Sequence, residues 1–532
     1  MTIKQTIQRI INHQSETVLE AGLLMSVLTF LGSILGLLRN ALLASRFGAS
    51  HSLDVYYASF RLPDLIYNIF IIGAISAAFI PLFNEYLTKD KDKSWQFSSL
   101  IMTTIGVLMT IFGLVIISLA RPLLTRLLIG FDQENIEMAV LLTRIMMIQP
   151  LFLGISSVVS GILRSFRLFF ISALAPLVYN LGIIIGIIFL VPLFGLKGLA
   201  YGVVFGAFLH LFIQVPALWR LGYHLQKFQL SEFVTGFKKL IVLMTTRASG
   251  IILSQLFLVG VTSISTLLRA GTLTIITFVD NILPYTTFAL PFADAAFPKL
   301  SRLEAEKNQN DFIKVFENTL SQILFFLIPL TIWIIIFREP IVRLLLGYGK
   351  FDWQATWNTM KILAILAVGM IFQGSNYYFL KVFFAKKDAQ RPFWASLMAY
   401  SLGLLVCYKL SLIFDNIGLA LGILFTYIFY FVILVLFLRR HLVYSAASFR
   451  EFYRQIIKMI FIALVSGLLG FLIFKTIAQF LTFSRVIYLA LGTGLGLLIT
   501  LVSFILLANR LGIKELKELK NLIKRKAYVR TE

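Results

Sequence analysis

Apolar runs of roughly 20 to 25 residues recur from one end of the chain to the other, separated by short polar segments. Coiled as helices rising 1.5 Å per residue, such runs cross a hydrocarbon layer of about 30 Å. Counting windows predicts roughly fourteen spans. The first six lie at about 20–45, 53–83, 97–120, 138–163, 172–192 and 198–219. The next six lie at about 240–268, 272–298, 316–337, 356–384, 392–413 and 417–438, and a last pair at about 456–479 and 484–509. The expected fold class is therefore an all-α polytopic membrane protein.

The pattern also repeats. Leu193-Phe194-Gly195-Leu196-Lys197-Gly198-Leu199-Ala200-Tyr201-Gly202 has a counterpart in Ile413-Phe414-Asp415-Asn416-Ile417-Gly418-Leu419-Ala420-Leu421-Gly422. Arg126-Leu127-Leu128-Ile129-Gly130-Phe131 likewise matches Arg343-Leu344-Leu345-Leu346-Gly347-Tyr348. Both offsets are close to about 220 residues, the length of six spans with their loops. An even-numbered repeat keeps its orientation, so two parallel six-helix lobes are expected, followed by an added helix pair. The division expected is 1–222 and 223–442 for the lobes, 443–510 for the pair and 511–532 for a basic tail.

Composition changes the picture little. The 532 residues are 59% hydrophobic and 14% charged, outside the range of soluble domains. The net charge of +23 would suggest nucleic acid only on a soluble domain with a basic face, and no such domain is expected. Lys and Arg instead cluster in short loops and the C-terminal tail, roughly 30 on the side of the termini and about a dozen on the other. Both termini are thus expected in the cytoplasm. Cys407 is the only cysteine, and the five histidines are scattered, which excludes an internal disulfide and gives no metal-ligand spacing. No cofactor is expected, nor the clustered carboxylates of a membrane enzyme.

Charge at membrane depth is the remaining signal. Ionisable side chains there cost about 2.5 to 3.5 kcal/mol each on insertion scales and usually face a wet cavity or a partner. The stretch Leu35 to Pro81 holds Arg39, Asp54, Arg61, Pro63 and Asp64 around a turn at Phe47-Gly48-Ala49. A carboxylate between two guanidiniums would supply the counter-ion a dry cavity needs, so Asp54 is expected to pair with Arg39 and Arg61. Second-lobe candidates are Arg247 and Gln255 in the seventh span and Asp280 and Asn281 in the eighth. For Gln255 and Asn281, hydrogen bonding between helices is the simpler role. Prolines bracket Gly73 (Pro63, Pro81) and crowd the eighth span (Pro284, Pro291, Pro298), where each removes a helical hydrogen bond.

The run Leu35-Gly36-Leu37-Leu38-Arg39-Asn40-Ala41, with Phe47-Gly48-Ala49, Asp54, Phe60-Arg61-Leu62-Pro63 and Ala78-Phe79-Ile80-Pro81, resembles the N-terminal signature of the lipid II flippases of the MurJ (MviN) type. These belong to the superfamily of multidrug, oligosaccharidyl-lipid and polysaccharide exporters. Phe297-Pro298-Lys299-Leu300-Ser301, Tyr348-Gly349-Lys350-Phe351, and Phe384-Ala385 with Asp388 and Pro392 extend the likeness over nearly the whole chain. The resemblance implies two lobes around a cationic cavity that carries Arg39, Asp54 and Arg61, and a terminal helix pair completing a lipid-tail groove. It implies a multi-pass protein of the bacterial cytoplasmic membrane, not an enzyme, that moves a polyprenyl-pyrophosphate-linked glycan. It also implies a monomer working beside the cell-wall synthesis machinery, driven by membrane potential or a monovalent cation. The chain departs from the family at Ser33, Tyr67, Asn68 and Ile72, where charged residues are usual, and at Asp280-Asn281 in place of an arginine. Fewer guanidiniums weaken the summed attraction for a pyrophosphate. The alternatives are a flippase for another polyprenyl-linked saccharide, a cation-coupled drug exporter on the same fold, and a non-transporting scaffold.

Overall fold

The computed structural model describes residues 18–69, 79–226, 238, 250–439, 446–480 and 486–518, and these are helical almost throughout. Among them, ten helices are long and apolar enough to cross a membrane. The count is eleven when Thr272–Ile282 and Thr287–Ala305, bent by 55° at their junction, are taken as one span. The chain is thus an all-α, multi-pass membrane protein.

Among the described residues the count falls short of the expected fourteen, for identifiable reasons. Gln390–Arg439 consists of two helices that meet at a kink at Asp415, with φ 54 and ψ −134, so the two spans expected there are both present and count as one. The second expected span is broken. It comprises His51–Ser59, Arg61–Tyr67 and Ile80–Lys89, with Gly73 and Ile72 outside the described residues. Pro63 sits in the first turn of Arg61–Tyr67, where a missing N–H costs no helical bond. The seventh is represented by Gly250–Thr266, and Arg247 lies outside the described residues.

The duplication read from the sequence recurs in backbone detail. Gly195 has φ 58 and ψ −137, almost the conformation of Asp415, its counterpart in the matched segments. A Cβ on Gly198 would meet the backbone of Leu190, and one on Gly418 would meet the backbone of Leu410. Arg167 and Lys387, at φ 60 and 58, each end a helix in the left-handed conformation. The following amides close the same bond to a carbonyl five residues back, Leu168 to Leu163 at 2.8 Å and Asp388 to Phe383 at 3.0 Å.

By contacts the chain forms two compact units, Met1–Thr274 and Ile275–Glu532. This grouping places Gly250–Thr266 with the first unit, because residues 262–274 bond to the 48–61 hairpin, whereas the sequence division at 222 follows the repeat. In the first unit, Val18–Phe47 and Lys197–Phe212 both pack on Phe169–Ile185, and Lys91–Leu127 packs on Ile148–Ser165. Its core is aromatic at one end, where Trp95 stacks on Phe166 at 5.7 Å and lies 5.9 Å from Phe83.

In the second unit, Tyr285–Ala305, Gln309–Ile336 and Trp353–Ala385 pack on one another around Phe316, Tyr378 and Phe379. The terminal pair Ala446–Phe480 and Val486–Arg510 is held together at Gly470, where a Cβ would strike Thr500 and the Gly496 carbonyl. It docks on Gln309–Ile336 through Gly467, which faces Trp333 and Ile336, and the Trp333 indole N–H donates to the Ala463 carbonyl at 3.2 Å.

Candidate functional site

The first helix carries Arg39 to the face that meets Phe169–Ile185. Arg39 is half-buried and its fork is held by two amide oxygens. Nη1 donates to Asn180 Oδ1 at 3.1 Å, while Nη2 and Nε donate to Asn40 Oδ1 at 3.2 and 3.4 Å. Both partners are neutral, so the guanidinium is positioned while its charge remains uncompensated by them. Tyr56, Tyr57 and Tyr179 lie within the field of this charge. Two turns further on, Arg46 Nη1 donates to the Ile187 carbonyl at 3.0 Å, in a π-helical turn at Gly186–Leu190.

Arg61 opens its helix and donates from Nε to Thr262 Oγ1 at 2.6 Å. Asp64, one turn later, is within its electrostatic reach. The Tyr67 hydroxyl is hydrogen-bonded to Ser157 Oγ at 3.2 Å. The result is one polar patch made by the first two expected spans and Phe169–Ile185, with two cations, one carboxylate and several phenols. Asn180 and Asp64 belong to it. The sequence showed Asp64 as part of the charged stretch, but nothing in the local pattern distinguished Asn180, which reaches the site only through helix packing.

Asp54 corrects the expectation of a carboxylate between two guanidiniums. It is 3% exposed, and its oxygens accept from Gly271 N at 2.6 Å, Thr274 N at 2.8 Å and Thr274 Oγ1 at 2.7 Å. Its partners are therefore Gly271 and Thr274 rather than Arg39 and Arg61. The physical reason lies at the start of Thr272–Ile282, whose first N–H groups have no helical acceptors and carry the positive end of the helix dipole. A buried carboxylate is satisfied there without a cation. Gly271 makes the approach feasible: it has φ +83, and a Cβ would meet the Ala49 carbonyl. Nearby, Gly130 N donates to Thr266 Oγ1 at 3.1 Å, a second tie on the same segment.

Of the second-lobe candidates, Gln255 is half-buried, and Asp280 and Asn281 are exposed near the end of Thr272–Ile282. Arg247 is outside the described residues. Among the described residues, no group of three His, Cys, Asp or Glu side chains is placed to hold a metal ion. The second unit also holds an apolar cavity of ≈ 450 Å³ where the terminal pair meets the helical body, lined by Leu324, Ile328, Ile371, Phe431, Ile456 and Ile460 among others.

A family model described as "Lipid II flippase MurJ" matches residues 43–491. The chain belongs to the MurJ family. Among curated members of that family, the chain is 27% identical over 504 residues to a probable lipid II flippase MurJ of Thermotoga maritima, covering 93% of this chain and 97% of that protein. It is also 27% identical over 421 residues to a probable lipid II flippase MurJ of Buchnera aphidicola subsp. Schizaphis graminum, covering 76% and 80%. A solved structure titled as lipid II flippase MurJ in an inward closed conformation aligns with TM-score 0.73 at 23% identity, over 92% of this chain and 99% of that one. This last likeness bears on the fold, which is thus the MurJ fold across nearly the whole chain.

Proposed function

We propose that the chain flips lipid II, the undecaprenyl-pyrophosphate-linked peptidoglycan precursor, from the cytoplasmic to the outer leaflet of the bacterial inner membrane by alternating access. The observation that carries this reading is the family match over residues 43–491, which spans Asp54 and Arg61 and both units.

Arg39 and Arg61 are assigned to the pyrophosphate. The neutral amides around Arg39 support this, since they orient a guanidinium toward bidentate anion binding without consuming its charge. Asp54 is assigned to the cycle rather than to the substrate. Its bonds to Gly271 and Thr274 hold the 48–54 turn against the next helix start, and their release would accompany a change of state. The apolar cavity beside the terminal pair is assigned to part of the polyprenyl tail, consistent with its lining.

No bond is made or broken, and no cofactor is invoked. Membrane potential, worth about 2.3 kcal/mol per charge per 100 mV, or a coupled monovalent cation supplies the direction. The protein works as a monomer with both termini in the cytoplasm, alongside the cell-wall synthesis machinery.

Depletion of the native flippase in a bacterium, with expression of this chain or its Arg39→Ala form, tests the reading by following lipid II on the outer face. Rescue by the parent alone is expected. Failure of the well-expressed parent would remove lipid II as the substrate, and equal rescue by both would remove Arg39 from the mechanism.

A further inference from the structure

The second unit carries a charged pair on two of its helices that are long and apolar enough to take part in membrane spans. Lys381 Nζ lies 2.7 Å from Asp294 Oδ1, joining Trp353–Ala385 to Tyr285–Ala305. The Tyr377 hydroxyl donates to the same carboxylate at 3.2 Å. The ammonium also sits over the Tyr377 ring at 5.2 Å and near the Phe297 ring at 5.9 Å.

A neighbouring pair on the same two helices serves as a contrast. Lys386 lies 2.8 Å from Glu304 with its side chain only 5% exposed, and it sits over the Phe312 ring at 4.4 Å. That is a packed staple. Lys381 and Asp294 are 27% and 53% exposed, five residues deeper on the lysine helix, or about 7.5 Å along it. Ionisable side chains on a membrane-spanning helix usually face water or a partner rather than lipid. The aromatic faces fix the ammonium while leaving its charge intact, because a ring quadrupole does not neutralise a cation.

The helix bearing Asp294 is built to give way. Pro291 and Pro298 lie on either side of it, and Pro298 has no N–H to offer the Asp294 carbonyl four residues earlier. The turn carrying the counter-ion is thus the least braced part of that helix. An acid that can swing away from an oriented, partly exposed lysine is a placeholder for another anion.

We infer that Lys381 is a further phosphate-binding cation, carried by the second unit, that takes the phosphate oxyanion of a lipid-linked pyrophosphate in exchange for Asp294. This rests on the flippase reading above. Tyr377 is the positioning residue that holds both partners.

Purified protein in nanodiscs, titrated with undecaprenyl pyrophosphate and with undecaprenol as the uncharged control, tests the inference. Lys381→Gln is expected to weaken undecaprenyl pyrophosphate binding roughly 10- to 100-fold, the worth of one charge-assisted hydrogen bond, and to leave undecaprenol unchanged. Lys381→Arg is expected to retain the discrimination, and Asp294→Asn to tighten binding of the charged probe. Inorganic pyrophosphate is expected to compete only at far higher concentration. Unchanged binding by Lys381→Gln overturns the inference. So does equal weakening by Lys381→Gln and Asp294→Asn with matching losses of thermal stability, which would mark a structural pair. Equal competition by inorganic pyrophosphate overturns the lipid-linked assignment of the site. If the parent protein does not distinguish the charged from the uncharged probe, the flippase reading itself falls and takes this inference with it.

Discussion

Asp54→Asn isolates charge from shape at the junction between the 48–54 turn and the start of Thr272–Ile282. The carboxylate accepts three hydrogen bonds there, from Gly271 N, Thr274 N and Thr274 Oγ1. An amide of the same size has one acceptor oxygen, and its NH2 group must face at least one N–H donor. Losing one bond to a charged acceptor removes about 1.5–3 kcal/mol. Losing the favourable charge at a helix N-terminus removes up to about 2 kcal/mol more in a buried setting. The junction is therefore expected to weaken by about 2–5 kcal/mol.

Hydrogen exchange read by mass spectrometry in nanodiscs measures this directly. At about 1.4 kcal/mol per factor of ten, exchange at residues 271–274 is expected to speed up roughly 30-fold to a few thousand-fold, with the amides of Gln309–Ile336 as an unaffected reference. Unchanged protection at 271–274 in a folded Asp54→Asn protein would refute the junction. A uniform rise in exchange across both units would refute its locality, since it would signal global destabilisation.

Three further outcomes follow from the same geometry. Arg39→Lys keeps the charge but cannot span Asn40 and Asn180 together, so lipid II flipping in proteoliposomes is expected to fall at least about tenfold, and equal activity would show that charge alone suffices. Gly418→Ala places a methyl against the Leu410 backbone and is expected to destabilise by about 1–3 kcal/mol in thermal unfolding; Gly36→Ala and Gly494→Ala, which meet open space, are the controls that should unfold as the parent does. Gly467→Leu drives a side chain into Trp333 and Ile336, so the intrinsic fluorescence of Trp333 is expected to shift as the terminal pair lifts, and an unchanged spectrum would mean that the pair docks elsewhere.

The fold was legible because its causes are local and repeated. Long apolar runs state where helices cross, and the Gly195 and Asp415 segments share a motif because they share an unusual backbone turn. The count of spans was less legible. A broken span such as the one around Phe60 reads as a single hydrophobic window, whereas the two helices that meet at the Asp415 kink read as the two separate windows they are.

The charged stretch was legible as a region, and the pairing within it was misread. Arg39, Asp54 and Arg61 stand close in sequence, and opposite charges in oil suggest a mutual ion pair. That inference overlooks a competing partner which carries no formal charge. The exposed amides at a helix start bind a carboxylate with three bonds in fixed geometry, and residue type does not announce them 220 residues away. The Arg39 partners show the same blind spot from the other side, because Asn180 matters only through packing of Val18–Phe47 on Phe169–Ile185.

The duplication sharpens what this means for charge. Two halves with the same backbone turns at Gly195 and Asp415, and at Arg167 and Lys387, need not place their polar side chains alike. Lys381 is in register with Gly161, which packs on Phe79 where a lysine could not fit. A repeat constrains the positions at which backbones touch and leaves the cavity-facing positions free to diverge. A chain poor in first-lobe arginines can therefore recover cationic character in the other lobe while its fold stays symmetric, and the Lys381 titration measures whether this chain has done so.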